Sequence, residues 1–211
     1  NRTGIAGGSC LLSGGLAINK TIIVTDTSAN LPADLVQELD IRVVPSVVTI
    51  DGRVLRDGID ISPAEVYRWQ REHEQLPRTA APSVGDFLRV YASAAQEASG
   101  IASIHPSPTL SAVYTVARTA SELVDGPPVQ VIDCHNVAMG QGFAVLAAAR
   151  AAVQGADLEE VIAHSQAVAD QVTVLAVIDT LEYLHRGGRI GNAASLLGSV
   201  LHIKPMVYVA D

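Results

Sequence analysis

Apolar and polar positions alternate in blocks along this chain. Thr21–Thr25 is a β-branched run that stops at Asp26-Thr27-Ser28, the pattern of a buried strand passing into a polar turn. Ser28 and the early Pro32 predict a helix reaching about Leu39. A second apolar run, Ile41–Ile50, ends at the turn signal Asp51-Gly52, and Arg53–Arg56 is expected to return as a hairpin. Ser62 and Pro63 open another helix as N-cap and first helical residue. Pro77–Ser83 reads as a proline-bounded loop, with Ser83 capping a helix to about Ser99. Ile101–His105 is a third strand, Pro106–Ser111 a polar turn before a helix to about Val124, and Val129–Ile132 a fourth strand ending at Asp133. An Ala-rich helix over Gly140–Val153 follows; Gly155 and Asp157 then end it and cap the next, which runs to about Asp170.

Strand and helix therefore alternate, which predicts an α/β fold: a parallel sheet with helices on both faces across residues 20–170. The pattern changes after Asp170. Val172–Ile178 is a continuous apolar run, Asn192–Val200 a short helix and Ile203–Val209 another strand. Two strands and a helix cannot bury a core alone, so residues 171–211 are expected to begin a second α/β domain that is incomplete at Asp211. Residues 1–19 are small, Gly-rich and without period, and are expected to form a poorly ordered extension lacking the apolar core of a secretory signal.

Composition narrows the function classes. A net charge of −8, with 14 Lys and Arg in 211 residues, argues against a nucleic-acid binder, which needs a basic face to displace counterions. The two cysteines, Cys10 and Cys134, form no disulfide framework or metal motif, and the six histidines lie singly. No apolar run is long enough to span a bilayer, so the cytoplasm is the default compartment and membrane contact is at most transient.

In parallel sheets, ligands bind beyond the carboxyl ends of the strands. Three strands here end in hydroxyl- or carboxylate-bearing loops: Asp26/Thr27/Ser28, Ser107/Thr109/Ser111 and Asp133, with Thr79 in a loop of its own. Each group alone is most simply a helix cap; their convergence at one sheet end is what predicts a pocket. No glycine fingerprint for a dinucleotide follows a first strand, and no Walker A sequence occurs. Gly140-Gln141-Gly142 sits at a helix entry, where small residues let another backbone approach closely. Ser111 lacks a nucleophile-elbow setting, and Cys134 has a strand-end position with His135 beside it, although adjacent residues on an extended chain point apart. Leu184–Gly191, LHRGGRIG, has two readings. In one, Gly187 supplies a positive φ for a helix C-cap; in the other, the glycine turn presents backbone N–H groups and the Arg189 guanidinium to an anion.

Taken together, these motifs resemble those of the DegV family. Asp26–Leu31 resembles its opening "DSTADL", Thr79–Ser83 its "TSQPS", and Ser107–Ser111 its "SSxLSGT". Val131–Asp133 with Gly140–Gly142 resembles "VIDSxxxSxGxG", and Leu181–Gly191 with Ile203–Pro205 resembles "LxYLxxGGRIS…IKP". The resemblance covers residues 21–211 and implies a chain that continues for some tens of residues to complete the second domain.

It also implies a non-enzymatic protein without a cofactor, holding one long-chain fatty acid between two domains. Such a protein presents the carboxylate to a separate ATP-dependent fatty acid kinase, which makes the acyl phosphate for bacterial phospholipid metabolism. The carboxylate-binding hydroxyls carry over to Thr79 and Ser111. Asp26, Thr27, Ser28, Ser107, Thr109, Gly187, Gly188 and Arg189 fall in the headgroup vicinity, with Arg189 placed to steady a phosphate or meet the kinase. Neutral hydroxyls hold a carboxylate without a tight ion pair, leaving an oxygen free to attack.

Ala80 and Ala81 lose two polar side chains of the family pattern, Ala112 and Val113 replace its Gly-Thr, losing a hydroxyl and adding a side chain to the turn, and Cys134 replaces a serine. Another acyl chain or amphipathic lipid is compatible with those changes. Two further readings stay open: a hydrolase or transferase with Ser111 or Cys134 as nucleophile, and an interaction protein with a vestigial pocket.

Overall fold

The computed structural model describes residues 20–73, 75–196 and 204–209. The extension expected over 1–19, the end at Ala210-Asp211, Ile203 and the second half of the Asn192–Val200 helix lie outside the described residues.

In chain order the elements are β1 (Thr21–Asp26), α1 (Ala33–Glu38), β2 (Arg42–Val44), β3 (Val47–Ile50), β4 (Arg53–Arg56), α2 (Pro63–His73) and β5 (Arg78–Ala80). Then follow α3 (Val84–Ala94), β6 (Gly100–His105), α4 (Val113–Ser121), β7 (Val129–Asp133), α5 (Met139–Val153) and α6 (Leu158–Ala169). The last are β8 (Leu175–Val177), α7 (Glu182–Arg186) and β9 (Met206–Tyr208).

Four strands form a parallel sheet in the order β2-β1-β6-β7. Every residue of β1 and β6 is buried, as expected of central strands covered on both sides. Period-2 alternation divides their side chains between two cores. Ile23, Ala102 and Ile104 meet Ala144, Val145 and Ala148 of α5 and Val161 of α6. Ile22, Val24 and Ile101 meet Phe87 and Tyr91 of α3 and Val113 and Ala117 of α4. The sandwich of helices on both faces is therefore the observed architecture.

Several expectations change at one proline. The single strand Ile41–Ile50 is two strands, because Pro45 has no N–H for a ladder. β2 ends at Val44 in the parallel sheet, while β3 leaves to form a separate antiparallel sheet, β4-β3-β5. The hairpin Arg53–Arg56 is present, and α2 covers it through Val48, Ile50, Ile61, Val66 and Trp69. The Pro77–Ser83 loop contains β5, a three-residue edge strand paired to β3. Ser28 caps no part of α1; it lies in a 3-10 turn over Thr27–Ala29, and α1 begins after Pro32. The apolar run at Val172–Ile178 is in strand only over β8, which pairs antiparallel with β9, and a 3-10 helix covers Gly191–Leu196.

The caps expected at Ser62, Ser83 and Asp157 do form. Ser83 and Asp86 make a capping box on α3, Asp157 and Glu160 another on α6, and Ser62 bonds Glu65 at the start of α2. The glycines at the α5 entry work by close approach. A Cβ on Gly142 would stand 2.7 Å from the Ala29 carbonyl oxygen, and one on Gly140 would stand 2.5 Å from a Val174 methyl. Among the described residues no helix is long and apolar enough to cross a membrane.

Gly142→Ala is therefore expected to destabilise the fold by about 1–3 kcal/mol through overpacking against fixed backbone, lowering Tm by roughly 2–10 °C. Gly85→Ala, whose Cβ would meet only Ser83 Oγ at 3.7 Å, should leave Tm unchanged or raise it. Thermal unfolding of the two variants beside wild type measures the contrast.

Candidate functional site

The carboxyl ends of β1 and β6 meet at a buried polar chain. Asp26 closes β1 with no exposed surface, and His105 closes β6 equally buried. His105 Nδ1 lies 2.8 Å from Asp26 Oδ1, and His105 Nε2 lies 2.7 Å from Ser103 Oγ. The Tyr91 hydroxyl of α3 donates to Ser103 Oγ at 2.7 Å. From α5, Gln141 Nε2 donates to Asp26 Oδ1 and Thr25 Oγ1, each at 3.0 Å. Asp26 Oδ2 accepts the Ser28 amide at 3.0 Å and the Ser28 hydroxyl, which also lies 2.9 Å from Gln141 Oε1.

Bond lengths order the protons. Tyr91 is 2.7 Å from Ser103 but 3.4 Å from the Ala117 carbonyl, so its proton goes to Ser103. Both imidazole nitrogens are thereby engaged, Nε2 with the Ser103 hydroxyl and Nδ1 with the Asp26 carboxylate. Burial pushes the Asp26 pKa up, but the bonds from His105 and Ser28 outweigh it and hold the carboxyl below its ordinary 3.8.

Ser103, His105 and Asp26 fall in the order of a nucleophile, base and orienting acid, yet Ser103 has no exposed surface and lies under Tyr91. A substrate cannot reach it, and the chain is structural rather than nucleophilic. Cys134 is also buried; its thiol points to the Asn136 carbonyl at 3.4 Å, and burial pushes its pKa up to about 12. His135 beside it is exposed with a φ of +51°. Ser111 Oγ accepts the Val113 amide at 3.4 Å, and among the described residues no imidazole or carboxylate bonds it.

The hydroxyls expected near the headgroup fall into two sets. Thr27 Oγ1 accepts the Ser46 amide at 3.2 Å, tying the first loop to the chain that leaves Pro45. Ser107 and Thr109 bond each other at 2.9 Å. These side chains, with Asp26 and Ser28, shape the loops. Ser111 keeps its proton to donate, and the Thr79 hydroxyl, opposite Val48 on β5, is exposed and without a hydrogen-bond partner among the described residues.

The glycine loop settles on the cap reading for its backbone. Gly188, not Gly187, takes the positive φ, at +73°. Arg189 N–H bonds the Leu184 carbonyl and Gly188 N–H the His185 carbonyl, which is a Schellman closure of α7. Those amides are unavailable to an anion. The Arg189 side chain reaches elsewhere: Nε donates to the Leu110 carbonyl at 3.3 Å, fastening this loop beside Ser111, while Nη1 bonds Gly187 O at 2.6 Å.

Two cavities stand out. One, of about 410 Å³, is polar and lined by Gln70, Arg71, Gln75, Glu182, Tyr183 and Arg186; the other, of about 330 Å³, touches Gln130, Leu158, Glu159 and Ile162. Neither includes Thr79 or Ser111. Among the described residues no cluster of His, Cys, Asp and Glu could hold a metal ion.

The sequence reading did not pick out Tyr91, Ser103 or Gln141 as site residues. A signal was present: Ser103 and His105 alternate in an otherwise apolar buried strand, and polar groups there require partners.

Residues 20–211 match the family model described as "Uncharacterised protein, DegV family". The chain belongs to the DegV family. A DegV domain-containing protein of Caldanaerobacter subterraneus is 34% identical over 194 residues, covering 92% of this chain and 69% of that protein. One from Mycobacterium tuberculosis is 38% identical over 193 residues, covering 90% of this chain and 66% of its own length. This chain thus spans 66–69% of the length of these relatives. Among solved structures, a DegV family protein of Thermus thermophilus, described by its fatty acid binding, superposes with a TM-score of 0.83 at 36% identity, covering 90% of this chain and 68% of that one. DegV of Bacillus subtilis, described as a fatty acid binding protein, gives a TM-score of 0.83 at 27% identity over 91% of this chain and 68% of that one.

Asp26 links the site to stability. Its folded pKa lies below the unfolded one, so its contribution is present above the ordinary carboxylate range and is lost as pH falls through the folded value. Asp26→Asn should cost about 2–4 kcal/mol at pH 7, with the gap from wild type closing below about pH 4. Urea denaturation across that range reads it. Native Cys134 should resist thiol reagents until the chain unfolds, as peptide mapping after labelling will show.

Proposed function

We propose that this DegV protein binds one long-chain fatty acid and holds its carboxylate by hydrogen bonds from Thr79 and Ser111. It then presents that carboxylate to a separate ATP-dependent kinase, in the cytoplasm, for conversion to an acyl phosphate. The observation that carries the reading is that the Thr79 hydroxyl is exposed with no hydrogen-bond partner among the described residues, while Ser111 accepts one amide and keeps its proton, with the Arg189 loop fastened at Leu110 beside Ser111. The fatty acid binding described for the Thermus and Bacillus relatives supports the ligand class.

Hydroxyls suit this task because they stabilise the anion while leaving its charge to the incoming phosphoryl group. Arg189 is exposed and fastened through Nε to the Leu110 carbonyl, which supports the reading that its charge meets a headgroup, a phosphate or the kinase. The catalytic readings lack a base: no imidazole or carboxylate bonds Ser111 among the described residues, and the Cys134 thiol is buried and protonated.

Native mass spectrometry of the purified protein, followed by organic extraction, tests the proposal. One co-purifying fatty acid per chain is expected. Thr79→Val and Ser111→Ala should each weaken binding about 10-fold or more, the loss of one hydrogen bond to a charged group. A wild-type protein that is empty and takes up no added fatty acid would overturn the reading.

A further inference from the structure

The buried chain Tyr91–Ser103–His105–Asp26 does more than satisfy its own members. Two loops that carry expected headgroup residues follow its members directly, and the helix that follows Thr79 supplies a third member. Asp26 is followed directly by Thr27 and Ser28, and its carboxylate caps their 3-10 turn. His105 is followed directly by Pro106 and the Ser107–Ser111 loop. Tyr91 and Phe87 both lie on α3, whose N-cap Ser83 stands four residues after Thr79. Phe87 packs edge-on against the His105 ring, with centroids 5.2 Å apart and planes at 88°, so α3 holds the imidazole by packing as well as through Ser103. Gln141 adds α5 to the same carboxylate.

We infer that this chain is the positioning element of the headgroup site: Tyr91, Ser103 and His105, none of which is exposed to ligand, fix the separation of the Thr79 and Ser111 segments. The inference rests on the carboxylate-binding reading above and extends it to residues remote from the ligand. The physical reason is directional. A sheet and two helices packed by apolar contacts alone tolerate small sliding, whereas four consecutive hydrogen bonds of 2.7–3.0 Å do not. Two hydroxyls, one on β5 of the antiparallel sheet and one in the loop after β6, grip one carboxylate only when their spacing is held within a fraction of an ångström.

Acyl-chain contacts make no such demand, and this separates positioning from general support of the fold. The experiment compares palmitic acid with 1-hexadecanol, which shares the chain and lacks the carboxylate, on wild type, Tyr91→Phe and Ser103→Ala, with Tm recorded for each. The expected result is a wild type that prefers the acid, and variants that lose about three- to tenfold in affinity for it with hexadecanol affinity unchanged within a factor of two. Equal losses for both ligands, or no loss for either, would overturn the positioning role while leaving the carboxylate reading intact. A wild type indifferent between acid and alcohol would instead remove that reading, and the inference with it. Tyr91→Phe keeps the ring and removes one hydroxyl, so it decides the matter alone if Ser103→Ala does not fold.

Discussion

A carboxylate with no exposed surface has to be satisfied by protein groups, and in this chain that requirement organises one whole end of the sheet. Asp26 accepts from the imidazole of the neighbouring strand, from the amide nitrogen of α5 and from its own following turn. Removing any one of these would leave a buried charge short of partners, which costs far more than a missing surface contact. The loops that leave this end inherit their geometry from it. Apolar packing on the two faces supplies most of the driving force, but it is non-directional and does not say where a loop begins.

Around that point the polar side chains divide by task. Asp26, Thr27, Ser28, Ser107 and Thr109 are engaged with protein groups, so they shape the turns. Thr79 and Ser111 retain donors, which is what a site for an anionic headgroup needs. The glycine loop shows a similar division within four residues. Its backbone amides close α7, and the Arg189 side chain reaches across to the Leu110 carbonyl. An arginine anchored through Nε is held in a fixed direction, unlike a lysine on a freely rotating stem.

The small antiparallel sheet illustrates how a local constraint relocates a distant residue. Pro45 interrupts the ladder, the chain crosses out of the parallel sheet, and β3 becomes the template for both β4 and β5. Thr79 is consequently placed by a strand rather than by a loop. Nothing in Arg78-Thr79-Ala80 carries an apolar alternation, so β5 was not legible locally; it exists because β3 offers it an edge. The buried polar chain was half legible, since Ser103 and His105 interrupt an apolar strand at period 2. Their partners come from α3, β1 and α5, at sequence distances that no local pattern reports.

What the sequence by itself determined is everything that acts over a few residues. The buried strands follow from β-branched and apolar runs, the capping boxes from Ser83/Asp86 and Asp157/Glu160, and the close approach at Gly142 from small residues at a helix entry. The order of its motifs also declared the family. Only the tertiary structure decided which hydroxyls are engaged and which remain available, and which glycine adopts the positive φ. It alone placed Arg189 against the Ser111 loop. The physical reason is range: propensities, caps and periodicity are written in neighbouring residues, whereas hydrogen-bond partners are assigned by packing between elements dozens of residues apart.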